Sequence, residues 1–364
     1  FRRVWDGEIY EIRVWGSNIP IRASPQHHFL AVKPEVCPKR YGQMKGEVRR
    51  CPPNGCRLKN KPWCPRLFEN YRPRWYQAKD LEVGDYLALS YPTEVRDVNI
   101  PDEMLELIGW YLAEGHVSDT RRCRGSVLCF SLGKHERDYA ERIAHLIKKL
   151  TGKDARIKET KTALVVYTCN ARFARRFLEF GRGAPNKRLP TWCMLLPRER
   201  QAILLRALFL GDGCVDGVRA RLVTTSPTLA YQVVQMLARL GVPSTVYRTG
   251  ERPYNIMGYE GMAKAKYEVT IHRRFGPLGF KAQPYVKHRE PTRVKVIDGF
   301  ILYPIRSIER RRYRGVMYDL QVEGVHSYNL LVATSHNSFD GVDDYVEVPA
   351  INNLAEFTIM SCFY

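Results

Sequence analysis

Apolar and polar residues alternate with a period of two through the first part of the chain, as in EIYEIRVW (Glu8–Trp15). They do so again in YLAL (Tyr86–Leu89), after the turn sequence Lys79–Asp85. That period predicts half-buried β-strands. From Pro101 the spacing becomes that of a helix, starting at DEMLELIGWYLAEG, and helical and strand-like stretches then alternate to about residue 290. Strands return in FILYPIRSIE and VMYDLQVEG and end near Asn337. A last segment, SFDGVDDYVEVPAINNLAEFTIMSCFY, has its own strand-like alternation at 345–348 and 357–363. The simplest layout is a β domain split by an α/β insert.

The insert contains an internal repeat. LIGWYLAEG (Leu107–Gly115) aligns without a gap on LRALFLGDG (Leu205–Gly213), pairing Gly109 with Ala207, Ala113 with Gly211, Glu114 with Asp212 and Gly115 with Gly213. Each copy is an apolar helix with small residues four apart on one face, a spacing that lets two helix backbones approach closely. Gly115 and Gly213 are expected to end their helices in a left-handed conformation. Each copy continues with a strand (SVLCFSL, RLVTTS), an amphipathic helix (AERIAHLIKKLTG, AYQVVQMLARLG) and a further basic strand region. Packing the two apolar helices together brings Glu114 beside Asp212. Adjacent carboxylates repel unless a cation sits between them, as in a divalent-metal site for phosphodiester hydrolysis. The plainer reading is a pair of helix-end acids in a duplicated fold. Acids at a helix C-terminus oppose its dipole, however, and here they do so twice.

Composition adds a partner class. The 364 residues carry 58 Lys+Arg against 38 Asp+Glu, a formal net charge of +20. An excess of that size points to a polyanion, with a merely solvated basic surface as the alternative. AILLRALFL (Ala202–Leu210) is the most apolar helical run, and it is too short to span a bilayer and contains Arg206. No membrane partner is expected, and the expected setting for the chain's chemistry is cytoplasmic. The opening FRRVWDGEIYEI lacks a secretory signal and reads as a strand in mid-domain, which suggests that a segment precedes it. Cys37, Cys51, Cys56 and Cys64 cluster in a basic insert, residues 34–72. A structural Zn²⁺ would supply stability that so few apolar residues cannot, while a disulfide pair or free thiols remain alternatives.

The paired helices resemble the motifs of LAGLIDADG homing endonucleases of the dodecapeptide type. PNKRLPTW (Pro185–Trp192) is similar to that family's Asn-Lys-x-Ile-Pro block, and TTSPTLAYQVVQMLARLGVPSTVYR to the block after the second helix. The match covers residues 101–285, with Glu114 standing where the first motif carries Asp. The resemblance implies that Glu114 and Asp212 hold Mg²⁺ on a pseudo-twofold axis and that Lys187 lies near the scissile phosphates. It also implies that two β-sheets straddle double-stranded DNA, with a single chain acting as a monomer. Arg121–Arg124 and His272–Phe275 are candidate phosphate contacts.

The flanking β regions resemble the Hint protein-splicing domain of inteins. IRASPQHHFLAV (Ile21–Val32) is similar to its Thr-x-x-His block, with Ser24 at the Thr position and His27 as the His, and WYQAKDLEVGDYLAL to the segment that follows. MYDLQVEGVHSYNLL (Met317–Leu331) places Asp319 and His326 seven residues apart, as the family does. ATSHNS (Ala333–Ser338) resembles the C-terminal junction, with penultimate His336, terminal Asn337 and Ser338 as the first flanking residue. Chemically, Ser338 offers a nucleophile, the Asn337 amide can close on its own carbonyl, and His336 and His326 can protonate the leaving group. The family's opening Cys or Ser block would lie before Phe1, so splicing by this chain alone is not expected. Residues 338–364 resemble the start of a laminin-G or concanavalin A-like jelly roll, which leaves an extracellular destination open for the host.

The expected fold class is therefore multidomain α+β. An all-β, horseshoe-shaped Hint domain (residues 1–98 and 291–337) is interrupted by a duplicated αββαββα endonuclease (99–290) and followed by a short β extein fragment (338–364). The expected partners are double-stranded DNA of the host's intein-less allele and the chain's own flanking extein sequences. Two rivals remain: a DNA-binding relic without catalysis, and a splicing element whose nuclease has decayed.

Overall fold

The computed structural model describes residues 2–34, 72–120, 125–216, 219–256, 258–272, 276–281, 293–297, 299–318, 320, 322, 326–336 and 346–347. The chain divides into two compact units, residues 1–94 with 287–364, and residues 95–286. Along the chain the first unit opens with β1 (Arg2–Val14), β2 (Ile21–Ala23), β3 (His28–Val32), β4 (Arg74–Gln77) and β5 (Tyr86–Ser90).

The second unit begins with helix α1 (Asp102–Glu114), preceded by Pro101 and carrying Asp102 and Glu103 in its first turn, where the dipole favours acids. Then come β6 (Gly115–Thr120), β7 (Gly125–Gly133), α2 (Arg137–Thr151), β8 (Arg156–Glu159) and β9 (Ala163–Thr168). Two short helices, α3 (Ala171–Arg175) and α4 (Thr191–Leu195), lead to α5 (Arg198–Gly211). The succession is then repeated in β10 (Gly213–Val215), β11 (Arg219–Thr224), α6 (Pro227–Arg239) and β12 (Ser244–Thr249). A hairpin of β13 (Arg252–Ile256) and β14 (Tyr259–Ala263) intervenes before β15 (Lys266–His272).

The repeat is visible in the sheets. One has the order β6-β7-β9-β8 and the other β10-β11-β15-β12, all antiparallel. Each has a buried face built by alternation, Leu128, Phe130, Leu132, Leu164 and Val166 in the first and Ala220, Leu222, Val246, Val269 and Ile271 in the second. Helix α1 is buried on nearly every side (Leu105, Leu107, Ile108, Trp110, Tyr111, Leu112) and packs against α5. A Cβ on Gly109 would stand 2.3 Å from the Leu204 carbonyl oxygen, and one on Gly211 2.6 Å from the Ala113 Cβ. The small residues are there because the backbones nearly touch.

Back in the first unit, β16 (Lys295–Ile297) leads to β17 (Phe300–Tyr318), followed by β18 (Ser327–Asn329), β19 (Thr334–His336) and β20 (Val346–Glu347). FILYPIRSIE and the first three residues of VMYDLQVEG belong to one 19-residue strand where two were expected. The arginine-rich stretch between them stays extended because β1 pairs with it without a break from Arg2↔Tyr318 to Arg13↔Ser307, before a shift in register at Val14↔Ile305, giving its backbone groups partners. At its other end β17 pairs with β5 and β16. Strand β3 lies between β5 and β19, and Leu30, Val32, Ala88 and Leu302 form a core cluster with Tyr86, Ile297 and Phe300. Among the described residues no helix is long and apolar enough to cross a membrane.

Candidate functional site

Glu114 is the last residue of α1 and Asp212 caps α5. Since Ala113 meets Gly211, the two carboxylates emerge near one another where the helices touch. Gly115 and Gly213 open the next strands in the same way, but not in the left-handed conformation expected of them. Gly115 is extended, at φ −88° and ψ 149°, and Gly213 is not among the glycines with positive φ. Glycine is needed for room instead. A Cβ on Gly115 would lie 2.5 Å from the Tyr111 Cα, and one on Gly213 2.1 Å from the Phe209 carbonyl oxygen.

Lys187 reaches the same place from the loop between α3 and α4. It is buried, and its Nζ donates to the carbonyl oxygens of Tyr111 and Gly115, both at 2.6 Å. These acceptors lie at the C-terminal end of α1, where the dipole favours a cation, and the Tyr111 carbonyl also accepts the Gly115 N–H. The ammonium also stands 3.4 Å from the centre of the Tyr111 ring. The Lys187 carbonyl accepts from the Ser226 hydroxyl at 2.6 Å, and Gln232 bonds both backbone groups of Leu189, so α6 holds the segment.

Burial works against all three charges. It pushes the Glu114 carboxyl up to about 7, with help from Asp212 and Glu136 and against Lys187. It raises Asp212 to about 6 against the pull of Lys187, and lowers Lys187 to about 7 against both carboxylates. Among the described residues no group of three or more His, Cys, Asp or Glu forms a metal cage. Two carboxylates with open coordination do fit a hard cation that draws its other oxygens from water and phosphate.

In the first unit Ser24 and His27 are fully buried. The His27 amide donates to the Ser24 carbonyl at 3.2 Å, and its Nε2 is hydrogen-bonded to the Ser335 hydroxyl. Burial first, then the nearby His28 and His336, lower His27 to about 3, so the ring is neutral. In the β18–β19 hairpin Ser327 pairs with His336, and the His326 and His336 rings stack with centroids 6.5 Å apart. His336 also meets the Trp75 ring edge-on at 5.0 Å. His326 has φ +50°, uncommon for a residue with a side chain. Thr334 and Asn329 tie the hairpin to Ser90 on β5 through bonds of 2.7–2.9 Å.

Thus Glu114, Asp212 and Lys187 come together in one unit, and Ser24, His27, His326 and His336 lie in the other. Asp319, Asn337, Ser338, the four insert cysteines (Cys37, Cys51, Cys56, Cys64), Arg121–Arg124 and the tail except 346–347 lie outside the described residues. Sequence reading missed Tyr111, Ser335 and Trp75, since a ring or hydroxyl that supports another side chain leaves no motif.

A family model described as a LAGLIDADG-like domain matches residues 102–180 and 199–274. An uncharacterized protein of Methanocaldococcus jannaschii is 27% identical over 93% of this chain and 45% of its own length. The ATP-dependent DNA helicase Hel308 of Thermococcus kodakarensis is 32% identical over 63% of this chain and 21% of itself. An iron-sulfur cluster assembly SufBD family protein of Mycobacterium tuberculosis is 29% identical over 91% of this chain and 37% of itself. The chain thus spans less than half the length of these relatives. Among solved structures, the homing endonuclease I-DmoI in complex with DNA and Ca aligns at 15% identity and a TM-score of 0.34, over 48% of this chain and 84% of that one. I-WcaI bound to its DNA recognition sequence aligns at 13% identity and a TM-score of 0.34, over 54% of this chain and 89% of that one. The matched segments each take in one of the two close-packed helices, so this part of the chain is similar to a LAGLIDADG-like domain.

Proposed function

We propose that residues 95–286 cut both strands of duplex DNA with a divalent cation, and that the β unit around them is the splicing domain of an intein. The observation that carries the nuclease reading is the joint emergence of Glu114 and Asp212 from two touching helices, beside a buried Lys187. The two carboxylates would hold Mg²⁺, which when bound supplies an activated water and stabilises charge on the phosphate. Lys187 presents a positive group next to the same phosphate. On the outward faces of the sheets, Arg156 and Lys158 in one, and Arg219 and Arg221 in the other on exchange of their pairs with Asp216 and Glu268, would meet the backbone of a duplex. The net charge of +20 favours such a partner, here the host gene's intein-less allele.

Glu114→Gln and Asp212→Asn remove charge with little change of shape. Each should abolish double-strand cleavage while leaving DNA affinity and its salt dependence close to those of the parent. A variant that cuts as well as the parent would overturn the assignment. Binding without any parental cleavage would mark the unit as a DNA-binding relic.

Support for splicing comes from the first unit, where His326 and His336 lie together on the hairpin that leads to Asn337. Asn337 would cyclise onto its own carbonyl, with the proton delivered to the departing Ser338 amine by a neighbouring imidazole. The partial matches point the same way. A helicase and an iron-sulfur assembly protein carry names for unrelated activities, yet each shares this stretch over less than half its length. An insert present in different hosts would be shared in that manner, with the flanking extein sequences as its own substrate.

A further inference from the structure

The repeat offers an internal comparison at the carboxylate centre. Tyr111 on α1 occupies the position of Phe209 on α5, since LIGWYLAEG and LRALFLGDG align without a gap. Both rings are buried, so an aromatic at this position serves the core of either half. Only on α1 does the ring also carry a ligand of its own. The Lys187 ammonium stands 3.4 Å from the ring centre, and the Tyr111 hydroxyl donates to the Gly181 carbonyl at 2.8 Å. Gly181, at φ +87°, begins the tight loop that delivers Lys187, and a Cβ there would lie 1.8 Å from the Asn186 carbonyl oxygen. One side chain therefore holds both ends of the loop, the hydroxyl fixing its start and the ring face fixing the cation at its end.

From this geometry we infer that Tyr111 is a positioning residue for the proposed cleavage, holding the Lys187 ammonium against the end of α1 so that it faces Glu114 and Asp212. Two of the three ammonium donors go to the Tyr111 and Gly115 carbonyls. The third is left for the carboxylates or a phosphate, and its direction is set by the other two and by the ring beneath. Cation–π attraction favours the charged ammonium over the neutral amine. The ring therefore opposes the burial that drives Lys187 down to about 7. The role rests on the nuclease reading, but the hold on Lys187 is a property of the folded chain and can be measured without DNA.

Three variants separate positioning from packing. Tyr111→Phe keeps the ring, Tyr111→Leu removes it, and Phe209→Leu removes the twin ring, which holds no lysine. In protein labelled with ¹³Cε-lysine, the Lys187 signal is the one absent from Lys187→Met, and its titration midpoint is read from its shift. The midpoint should fall by about half a unit to one unit in Tyr111→Leu, and hold within a few tenths in Tyr111→Phe and Phe209→Leu. The limb of the pH–rate profile that Lys187→Met lacks should move to lower pH by the same amount in Tyr111→Leu, with cleavage slowed about tenfold or more there, less in Tyr111→Phe, which loses only the bond to Gly181, and least in Phe209→Leu. An unmoved midpoint, or one moved equally by Phe209→Leu, would overturn the role. A midpoint that moves as expected in a protein that cuts no DNA would confirm the hold on Lys187 and reject the nuclease reading instead.

Discussion

Glu114, Asp212 and Lys187 are held in a region that disfavours the charge of each, and this gives the metal-free protein a definite pH behaviour. Glu114 titrates near 7 in the folded chain against 4.5 ordinarily, and Asp212 near 6 against 3.8. Across those windows the unfolded chain has lost protons that the folded chain keeps, so the stability these groups contribute falls as pH rises. Lys187 has the opposite sign: its folded value of about 7 lies below 10.5, so its contribution grows as pH rises between the two. A bound Mg²⁺ needs the ionised carboxylates, so its stabilising effect should be small at pH 5 and large at pH 7.5. At a hundredfold excess over Kd that effect is about 2.7 kcal/mol. Thermal melts with and without Mg²⁺ should show the contrast in the parent and lose it in Asp212→Asn. An equal shift at both pH values would mean that the ion binds elsewhere. The two acids were legible in the sequence because duplication repeats them. The tyrosine beneath Lys187 was not, because its contact spans 76 residues.

At the level of helices and strands, the repeat predicted the close pair α1 and α5 from four small residues, and the sterics explain the choice. Gly109→Ala would force its methyl against the Leu204 carbonyl and the Ala207 Cβ, at 2.3 and 2.7 Å. Overpacking of this kind costs about 1–3 kcal/mol and should lower the denaturation midpoint of the unit of residues 95–286. Gly250→Ala is the control: nothing lies within 4 Å of its added Cβ, and its effect should stay within about 0.5 kcal/mol. Equal midpoints for the two variants would mean that the helices separate freely. Local pattern served less well where a partner decided the conformation. Arg310–Arg314 read as a break between two strands, yet β1 lies opposite and holds them extended. The terminal glycines read as left-handed caps because glycine is common there, whereas here the strand leaves the helix too tightly for any side chain. The β13–β14 hairpin has no counterpart in the first half, so the repeat gave no hint of it.

On the scale of the whole molecule, a β domain divided by an α/β insert was readable because the strand period stops and resumes. The units divide at 94/95 and 286/287, where the sequence had suggested 98/99 and 290/291. The first junction lies earlier because Arg200 donates to the Val98 carbonyl at 2.8 Å and pairs with Asp97 and Asp102, tying the approach to α1 into the insert. The pairing of β1 with β17 and of β3 with β19 joins segments about 300 residues apart. That closure motivates the last prediction, release of the tail by cyclisation of Asn337. The hairpin that ends at His336 is held by β3 and by the Ser90–Asn329–Thr334 bonds, so its histidines are fixed by the fold of the unit. Cyclisation requires no upstream ester. The Asn337 side-chain nitrogen forms a bond to its own carbonyl carbon, the bond to Ser338 breaks, and the departing amine takes a proton. Mass spectrometry after prolonged incubation should show one fragment beginning at Ser338 and a partner ending in succinimide or Asn. Asn337→Ala should eliminate both, and His336→Ala or His326→Ala should slow them by about 10²-fold or more, as loss of a general acid does. Asn329→Ala should slow them less, by loosening the hairpin while leaving both imidazoles in place. Cleavage that persists unchanged in Asn337→Ala would be the work of an ordinary protease, and the junction would then have no chemistry of its own.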